Sequence, residues 1–574
     1  VIKRFSQSAI FPYFTLLVFF VPLLLFNGQQ QSLMAHDEGY YALQARWIWE
    51  KGDWVTVQWW GQPAYDRTIG IQWLIALCYG LFGINETSAR LPSIIASIFS
   101  IFLTYKIGCV LTNRRIAWLG CLVLAVTPLW LQYSRMAGQD AVLVFLQLLG
   151  IWALLEAENS HKLNKLHRLL WGILAGSTFG LGYLIKGFMI LLFPIALLPY
   201  LISKPHTVET RLIASLPLTN PGIYIGLILG AIPVLGWFWA SWLRYGALPF
   251  QQLFGKLLYL GTADTYNPGP LYYLWNIPAN AFPWPLFSLI GAALFVRKLI
   301  QKYYKKISNV NTYNHPLLLL GYPLILFLLL SIFKTRTLYY PLQLMPFMAL
   351  FAGSALDWLV NIYQHRQSRY RWLGATLSYS FSGLGMLLIL ATIVINLRMF
   401  GVNVGEDIRA YSNIALIVGS GWLLLGFFWW YGNKGKNLHK LSQQWLATWL
   451  IVPWFAFAGL GLWGFLGNRT PGFRTDFSQP TIAKTVNAHP INFVLQETLN
   501  GEEQKTLILL SFYTPKLGGQ FQKLSQLPPS SYVWTSPDIS LDSSPEYQIL
   551  GTVKGWKLIH LNNSKFKIQN SKNN

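Results

Sequence analysis

Between two strongly apolar stretches the chain places His36-Asp37-Glu38-Gly39-Tyr40-Tyr41, and the same intervening segment runs on to Tyr65-Asp66-Arg67. Carboxylates beside a bilayer are costly to place, so a segment that carries them there is a candidate for proton transfer or for holding a charged ligand. Asp37, Tyr40, Tyr41 and Gln44 recur at helical spacing and Gly52 closes the run, which predicts a short helix whose first turn bears the acids. Capping that helix and complementing its dipole is an equally good use for Asp37 and Glu38 taken alone. Further on, Asp140 follows Ser134-Arg135-Met136-Ala137-Gly138, Lys186 sits between two apolar runs, and Lys334 and Arg336 flank Thr335 in a short basic turn. Each has a plain structural use as dipole partner, snorkelling cation or loop charge, but together they put both signs of charge at the ends of apolar segments.

The elements that position these residues follow from composition. With 574 residues, 53% hydrophobic, only 11% charged and 26 Trp, the chain is not an ordinary soluble protein. The formal charge of +23 is scattered in short clusters between apolar runs, which excludes a nucleic-acid-binding stripe. Cys78, Cys109 and Cys121 all lie in or next to apolar segments, so neither a disulfide framework nor a cysteine zinc site is expected. Lys3 and Arg4 precede an apolar run that reads as an uncleaved first span.

At about 20 residues per crossing, apolar windows fall at 9–27, 90–111, 116–133, 139–156, 169–185, 187–203, 221–243, 279–297, 315–333, 339–360, 372–397, 412–432 and 446–466, about thirteen spans. With a cytoplasmic N-terminus, the inner loops take Arg114-Arg115, Lys162/Lys165/Arg168, Lys204/Arg211, Arg297 to Lys306, Arg366/Arg369/Arg371 and Lys434/Lys436/Lys440. This requires Thr68 to Gly83 to lie along the interface as an amphipathic helix. Loops 28–89 and 244–278, the Lys334-Thr335-Arg336 turn and everything after Gly467 then share the extracytoplasmic side. The predicted fold is an all-α polytopic membrane protein, with residues 1–467 transmembrane and 468–574 a small extracytoplasmic α/β domain. In that domain Thr506 to Tyr513, Ser531 to Ser536 and Tyr547 to Leu561 read as strands, and the Asn- and Lys-rich end from Asn562 as a disordered tail. Tyr259, Tyr266, Tyr272, Tyr273 and Trp275 suit either sugar faces or an aromatic belt.

The order Asp37-Glu38-Gly39-x-Tyr41, Gly52-Asp53-Trp54, Tyr65-Asp66-Arg67 with Trp73, Leu81-Phe82-Gly83 and Ala89-Arg90 resembles the N-terminal signature of the GT-C glycosyltransferases that include the lipid A aminoarabinose transferases and the protein O-mannosyltransferases. Arg135 to Asp140, Lys186-Gly187, Gly269-Pro270-Leu271-Tyr272-Tyr273 with Pro283-Trp284, and Arg336 to Tyr340 followed by Pro346 extend the likeness over most of residues 8–350.

The resemblance implies a GT-C fold and a polyprenyl-phosphate-linked sugar donor held among membrane lipid. It implies inverting transfer on the extracytoplasmic face of the plasma (inner) membrane, to a glycolipid of the lipid A type, another envelope glycan, or protein Ser/Thr. In that reaction Asp37 serves the acceptor as base and Asp140 is the second carboxylate. Arg67, Lys186 and Arg336, with the Tyr340 hydroxyl, hold the donor phosphate, and Glu38, Tyr41 and Asp66 contact substrate. Asp66 with Glu38 or His36 offers oxygen and nitrogen donors for a divalent ion, though their spacing does not demand one. Two positions depart from the aminoarabinose-transferase pattern: Tyr40 stands where those relatives usually carry Arg, and Arg67-Thr68-Ile69 stands for Lys-Pro-Pro. The alternative from another class, a transporter or flippase of polyprenyl-linked sugars, calls for charges lining a route across the bilayer, whereas here they gather at one face.

Overall fold

The computed structural model describes residues 9–26, 31–160, 164–202, 217–262, 267–303, 315–365, 368–397, 406–435, 437–467, 470, 472–496, 498–539 and 547–562. Lys3, Arg4, Lys162, Lys204, Arg211, Tyr266, Lys305, Lys306, Arg366, Lys436 and the tail beyond Asn562 lie outside them.

Nine helices among the described residues are long and apolar enough to cross a bilayer, or ten if the bent pair Arg114–Ala125 and Pro128–Ser134 counts as one span. One of the nine, the stretch Lys165–Ile202, holds two of the expected windows. The other three of the thirteen windows fall on the bent pair and on the shorter apolar helices Phe11–Leu25 and Leu317–Ile332, so a count of thirteen crossings is not confirmed. A hydropathy window measures composition and does not register where the helix breaks. Here Pro128 opens a second helix 68° from the first, and a wide π turn, Leu317–Gly321, precedes Tyr322–Ile332. Gly70–Phe82 is a helix of 13 residues, about 20 Å long at 1.5 Å per residue, too short for the ~30 Å hydrocarbon layer. That agrees with its exclusion from the span count.

The chain packs as two compact units, one formed by residues 1–27, 65–71 and 92–466 and the other by 28–64, 72–91 and 467–574. The first loop therefore packs with the C-terminal region, from which it is separated by most of the sequence.

In the first unit the helix Pro221–Tyr245 is built the reverse of a soluble helix. Gly222, Gly226 and Gly230 are buried, while Ile225, Ile228, Leu229, Ile232, Leu235, Trp239 and Leu243 are exposed. Lipid tails solvate such side chains, so helix association relies on close packing of small residues. Gly176 and Gly180 on Lys165–Lys186 meet the Pro221–Tyr245 glycines at backbone distance. A methyl on Gly176 would lie 2.1 Å from the Ile223 carbonyl oxygen, and one on Gly226 would lie 2.1 Å from that of Ile173. The four-residue glycine spacing was present in the sequence as its only signal.

The second unit contains a small hairpin, β1 (Gln58–Trp59) with β2 (Gln62–Pro63), and a five-stranded sheet of β3 (Ile491–Val494), β4 (Leu517–Phe521), β5 (Tyr532–Thr535), β6 (Tyr547–Val553) and β7 (Trp556–Leu561). The strand order is β4-β3-β5-β7-β6, with β3 parallel to β4 and β5 and the other pairs antiparallel. Val494, Leu524, Leu527, Val533, Ile559 and Leu561 form the core on this sheet. The expected strands at 531–536 and 547–561 are present, the latter as a hairpin. Thr506 to Tyr513, expected as a strand, is instead the C-terminal part of the helix Gly501–Tyr513. Asn500 and Glu503 close a reciprocal capping box at its start, and the run Thr506–Phe512 is buried all round. An apolar run buried on every side shows no helical period, which is why pattern alone misassigns it.

Gly226→Val is expected to force the two glycine-faced helices apart and to cost about 3 kcal/mol, the upper range for overpacking. A fall in the thermal unfolding midpoint of the detergent-solubilised protein would register it, and an unchanged midpoint would contradict the close approach.

Candidate active site

Two antiparallel helices of equal length bring the first set of predicted residues together in the first unit. Gln139–Ser160 and Lys165–Lys186 each have 22 residues and are joined by a short connection. The start of one and the end of the other therefore lie at the same level, and Asp140 and Lys186 meet as an ion pair. Each charge also suits its helix end, the anion near the N-terminal N–H groups and the cation near the C-terminal carbonyls. The ammonium lies 4.9 Å from the ring centre of Tyr339 and 5.3 Å from that of Tyr340, while Tyr133 packs on Tyr339. Two aromatic faces hold the cation where water is scarce.

Gly187, with φ +55°, then turns the chain out of the helix into a short 3-10 segment. The segment 65–71 runs past this helix end: a methyl on Gly70 would lie 2.6 Å from the Leu184 carbonyl oxygen, and one on Gly187 would lie 3.6 Å from Thr68 Cγ2. Tyr65 is fully buried against Trp237 and Tyr245, and its N–H donates to Gln252 Oε1 at 2.6 Å. With this anchor, Arg67 is carried to the helix end that bears Lys186, and its guanidinium lies 3.5 Å from Asp66 in a partly exposed pair.

Arg336 is used differently. Its guanidinium donates to the Ser331 carbonyl oxygen, to Asn267 Oδ1 at 2.7 Å and to the Lys334 carbonyl oxygen, and it is 7% exposed. It secures the turn that leads to Tyr339 and Tyr340. Tyr272, Tyr273 and Trp275 of the aromatic set cluster at ring separations near 5 Å, with Tyr273 donating to the Thr337 carbonyl oxygen.

The remaining predicted residues belong to the second unit. Asp37 and Glu38 lie in a π turn, Ala35–Gly39, that leads into the helix Tyr40–Lys51 and ends at Gly52 with φ +67°. The acids thus precede the α-helix instead of sitting in its first turn. Glu38 is buried, and its two oxygens accept from Arg90 Nε at 2.7 Å and Arg90 Nη2 at 2.9 Å, with a further N–H from Met34 at 2.8 Å. This buried fork defines the turn. Tyr41 is buried, His36 is exposed, and Asp37 is partly exposed. Among the described residues no group of three or more His, Cys, Asp and Glu side chains is arranged to hold a metal ion.

The comparisons agree with this architecture. The family model described as dolichyl-phosphate-mannose-protein mannosyltransferase matches residues 66–238. The undecaprenyl phosphate-alpha-4-amino-4-deoxy-L-arabinose arabinosyl transferase of Aeromonas hydrophila is 26% identical over 76% of this chain and 73% of its own length. That of Pseudomonas aeruginosa is 31% identical over 32% of this chain and 33% of its own. The crystal structure of ArnT from Cupriavidus metallidurans bound to undecaprenyl phosphate has 17% identity and a TM-score of 0.70, covering 96% of this chain and 98% of that one. The fold is that of the GT-C membrane glycosyltransferases. The chain is a multi-pass membrane glycosyltransferase resembling the aminoarabinose transferases.

Two features of this chain have no signal in the sequence. Tyr40, the departure from the usual Arg, stacks on Trp59 at 5.1 Å with the rings 17° apart, so the ring has its own packing partner. Arg46, 3% exposed, donates to the carbonyl oxygens of Phe512 at 3.0 Å and Thr514 at 2.8 Å, and also to that of Pro515. Its local partner, Glu50 at 2.7 Å one turn on, makes it read like an ordinary helix-surface ion pair, and the carbonyl partners that bury it lie more than 460 residues away.

Replacing Arg90 by Leu leaves Glu38 buried without its counter-charge and is expected to cost about 3–5 kcal/mol. Arg90→Lys, which keeps the charge and loses the fork, should fall between Leu and wild type in thermal unfolding. Equal midpoints for Arg90→Leu and wild type would show that the pair does not hold the turn.

Proposed function

We propose that this glycosyltransferase moves a sugar from an undecaprenyl-type polyprenyl phosphate to a cell-envelope glycolipid of the lipid A class, on the extracytoplasmic face of the inner membrane. The observation that carries the reading is the Lys186–Asp140 pair between the Tyr339 and Tyr340 rings, at a helix end that the Arg67 segment also reaches. A lipid phosphate that leaves with developing negative charge needs cations fixed in advance, and such a charge-assisted contact contributes more in a water-poor setting than in water. Lys186 has further N–H groups beyond the one used on Asp140, and Arg67 brings a second cation. The relatives named above carry undecaprenyl phosphate in their names, which supports a donor of that class.

In the proposed step the acceptor hydroxyl oxygen attacks the anomeric carbon, the bond from that carbon to the phosphate oxygen breaks, and the configuration inverts. Asp37 takes the hydroxyl proton and the polyprenyl phosphate leaves with the bonding pair. Asp140 orients Lys186, and Asp66 does the same for Arg67. Arg336 shapes the turn carrying Tyr340, whose ring closes the phosphate site. Tyr41 and Glu38 support the loop around Asp37, and a divalent ion, if the reaction uses one, would be drawn to Asp66, because the Glu38 oxygens are engaged by Arg90. Tyr40 in place of an Arg offers a ring where the aminoarabinose transferases offer a charge, which favours a sugar or acceptor with one fewer anionic contact.

Purified protein in lipid, given labelled polyprenyl-phosphate sugars and an envelope lipid extract, should consume donor and label the glycolipid fraction. Asp37→Asn should abolish consumption, and Lys186→Met should lower kcat roughly 10- to 150-fold, the effect of one charged hydrogen bond of about 1.5–3 kcal/mol made in the transition state. Label appearing in protein or glycan would reassign the acceptor, and loss of turnover with EDTA would add the metal. Donor binding without turnover, unchanged in Asp37→Asn, would replace transfer by transport.

A further inference from the structure

The π turn that carries Asp37 is a single turn held by a backbone hydrogen bond from Gly39 N–H to the Met34 carbonyl oxygen at 2.9 Å. One such turn has poor intrinsic stability and persists only where its surroundings impose it. Besides the Arg90 fork on Glu38, its surroundings are the C-terminal helix Gly501–Tyr513, within the same unit.

The contacts lie on both sides of the acid. Before it, Leu33 N–H donates to the Tyr513 hydroxyl at 3.1 Å. After it, Gly39 packs so closely on the helix that a methyl there would sit 2.9 Å from Ile508 Cγ2. This atom is fixed on a β-branched side chain and has little freedom to move aside. About two turns further on, Arg46 fills the C-terminal end of the same helix. The last carbonyls of a helix have no partner within it, and Arg46 donates to those of Ser511 and Phe512 and to the following Thr514 and Pro515. Desolvation, with Glu86 adding to it, pushes the Tyr513 hydroxyl well above the usual tyrosine range, so this oxygen stays protonated and accepts the Leu33 N–H as a neutral group. Arg474 lies over the same ring at 5.1 Å and pairs with Glu86 at 2.6 Å.

We propose that the C-terminal helix is a working part of the transfer site, with Tyr513, Ile508 and Arg46 as positioning residues that set the Asp37 carboxylate. This rests on the reading of Asp37 as the base. It gives the C-terminal domain a role in turnover.

The test uses the full chain in lipid and the donor-consumption assay above. Tyr513→Phe keeps the ring and removes only the acceptor for Leu33, and should lower kcat about tenfold with the donor KM unchanged. Gly39→Ala should also lower kcat, and Ile508→Ala in the same chain should restore at least half of the loss by making room for the methyl. A wild-type kcat in both Tyr513→Phe and Gly39→Ala would overturn the proposal, as would a Gly39→Ala defect that Ile508→Ala does not relieve. An active Asp37→Asn protein would instead remove the reading of Asp37 on which the proposal stands.

Discussion

A charge in or beside hydrocarbon must be paired or carried to the end of its helix, and most of the functional architecture of this protein follows from that constraint. Glu38 is accepted into the interior of its unit because Arg90 meets it with two parallel N–H groups. Asp140 and Lys186 are accepted because two antiparallel helices of the same length bring their ends level. Arg115 meets Asp357 at 2.8 Å at the start of its helix. The pairing that makes these charges tolerable also fixes their positions, and fixed charge is what a reaction with an anionic leaving group needs.

The helix that bears Lys186 is positioned in turn by packing with no polar component. Its glycines lie against the glycines of Pro221–Tyr245 at backbone contact, while the large apolar side chains of that partner helix face outward. With lipid as solvent, burying Leu or Ile between helices gains little, so close backbone approach supplies the attraction and sets the level of the helix end. Tyr339 and Tyr340 then close over the ammonium through a turn secured by Arg336. Arg336, which the resemblance places at the donor phosphate, holds the turn whose residues flank the cation.

In the other unit the acids of the first loop depend on a segment more than 460 residues away. The π turn, the Gly39 contact and the Arg46 cap make the loop and the C-terminal helix one packed body. Such an arrangement suits a proton-accepting carboxylate, since a displacement of about 1 Å at a reacting group is enough to cost a large factor in rate.

Much of this was legible in the sequence. Apolar windows located the helices because hydrocarbon tolerates few other compositions, and the ordered motifs around Asp37, Asp66, Arg67, Asp140 and Lys186 marked the residues that the two units then collect in two places. The span count was less legible, because the bend at Pro128 and the π turn at 317–321 are features of backbone geometry that average hydropathy does not carry. The helix at 501–513 reads partly as strand in the sequence because burial on all sides erases the period that distinguishes the two. The chemical types of the site residues and the membrane setting were determined by the sequence alone. Which charge pairs with which, that Arg336 and Arg46 are spent on carbonyl groups, and that the C-terminal helix underlies Asp37 were decided only by the tertiary structure, since each depends on contacts between segments whose local sequence holds no record of the other.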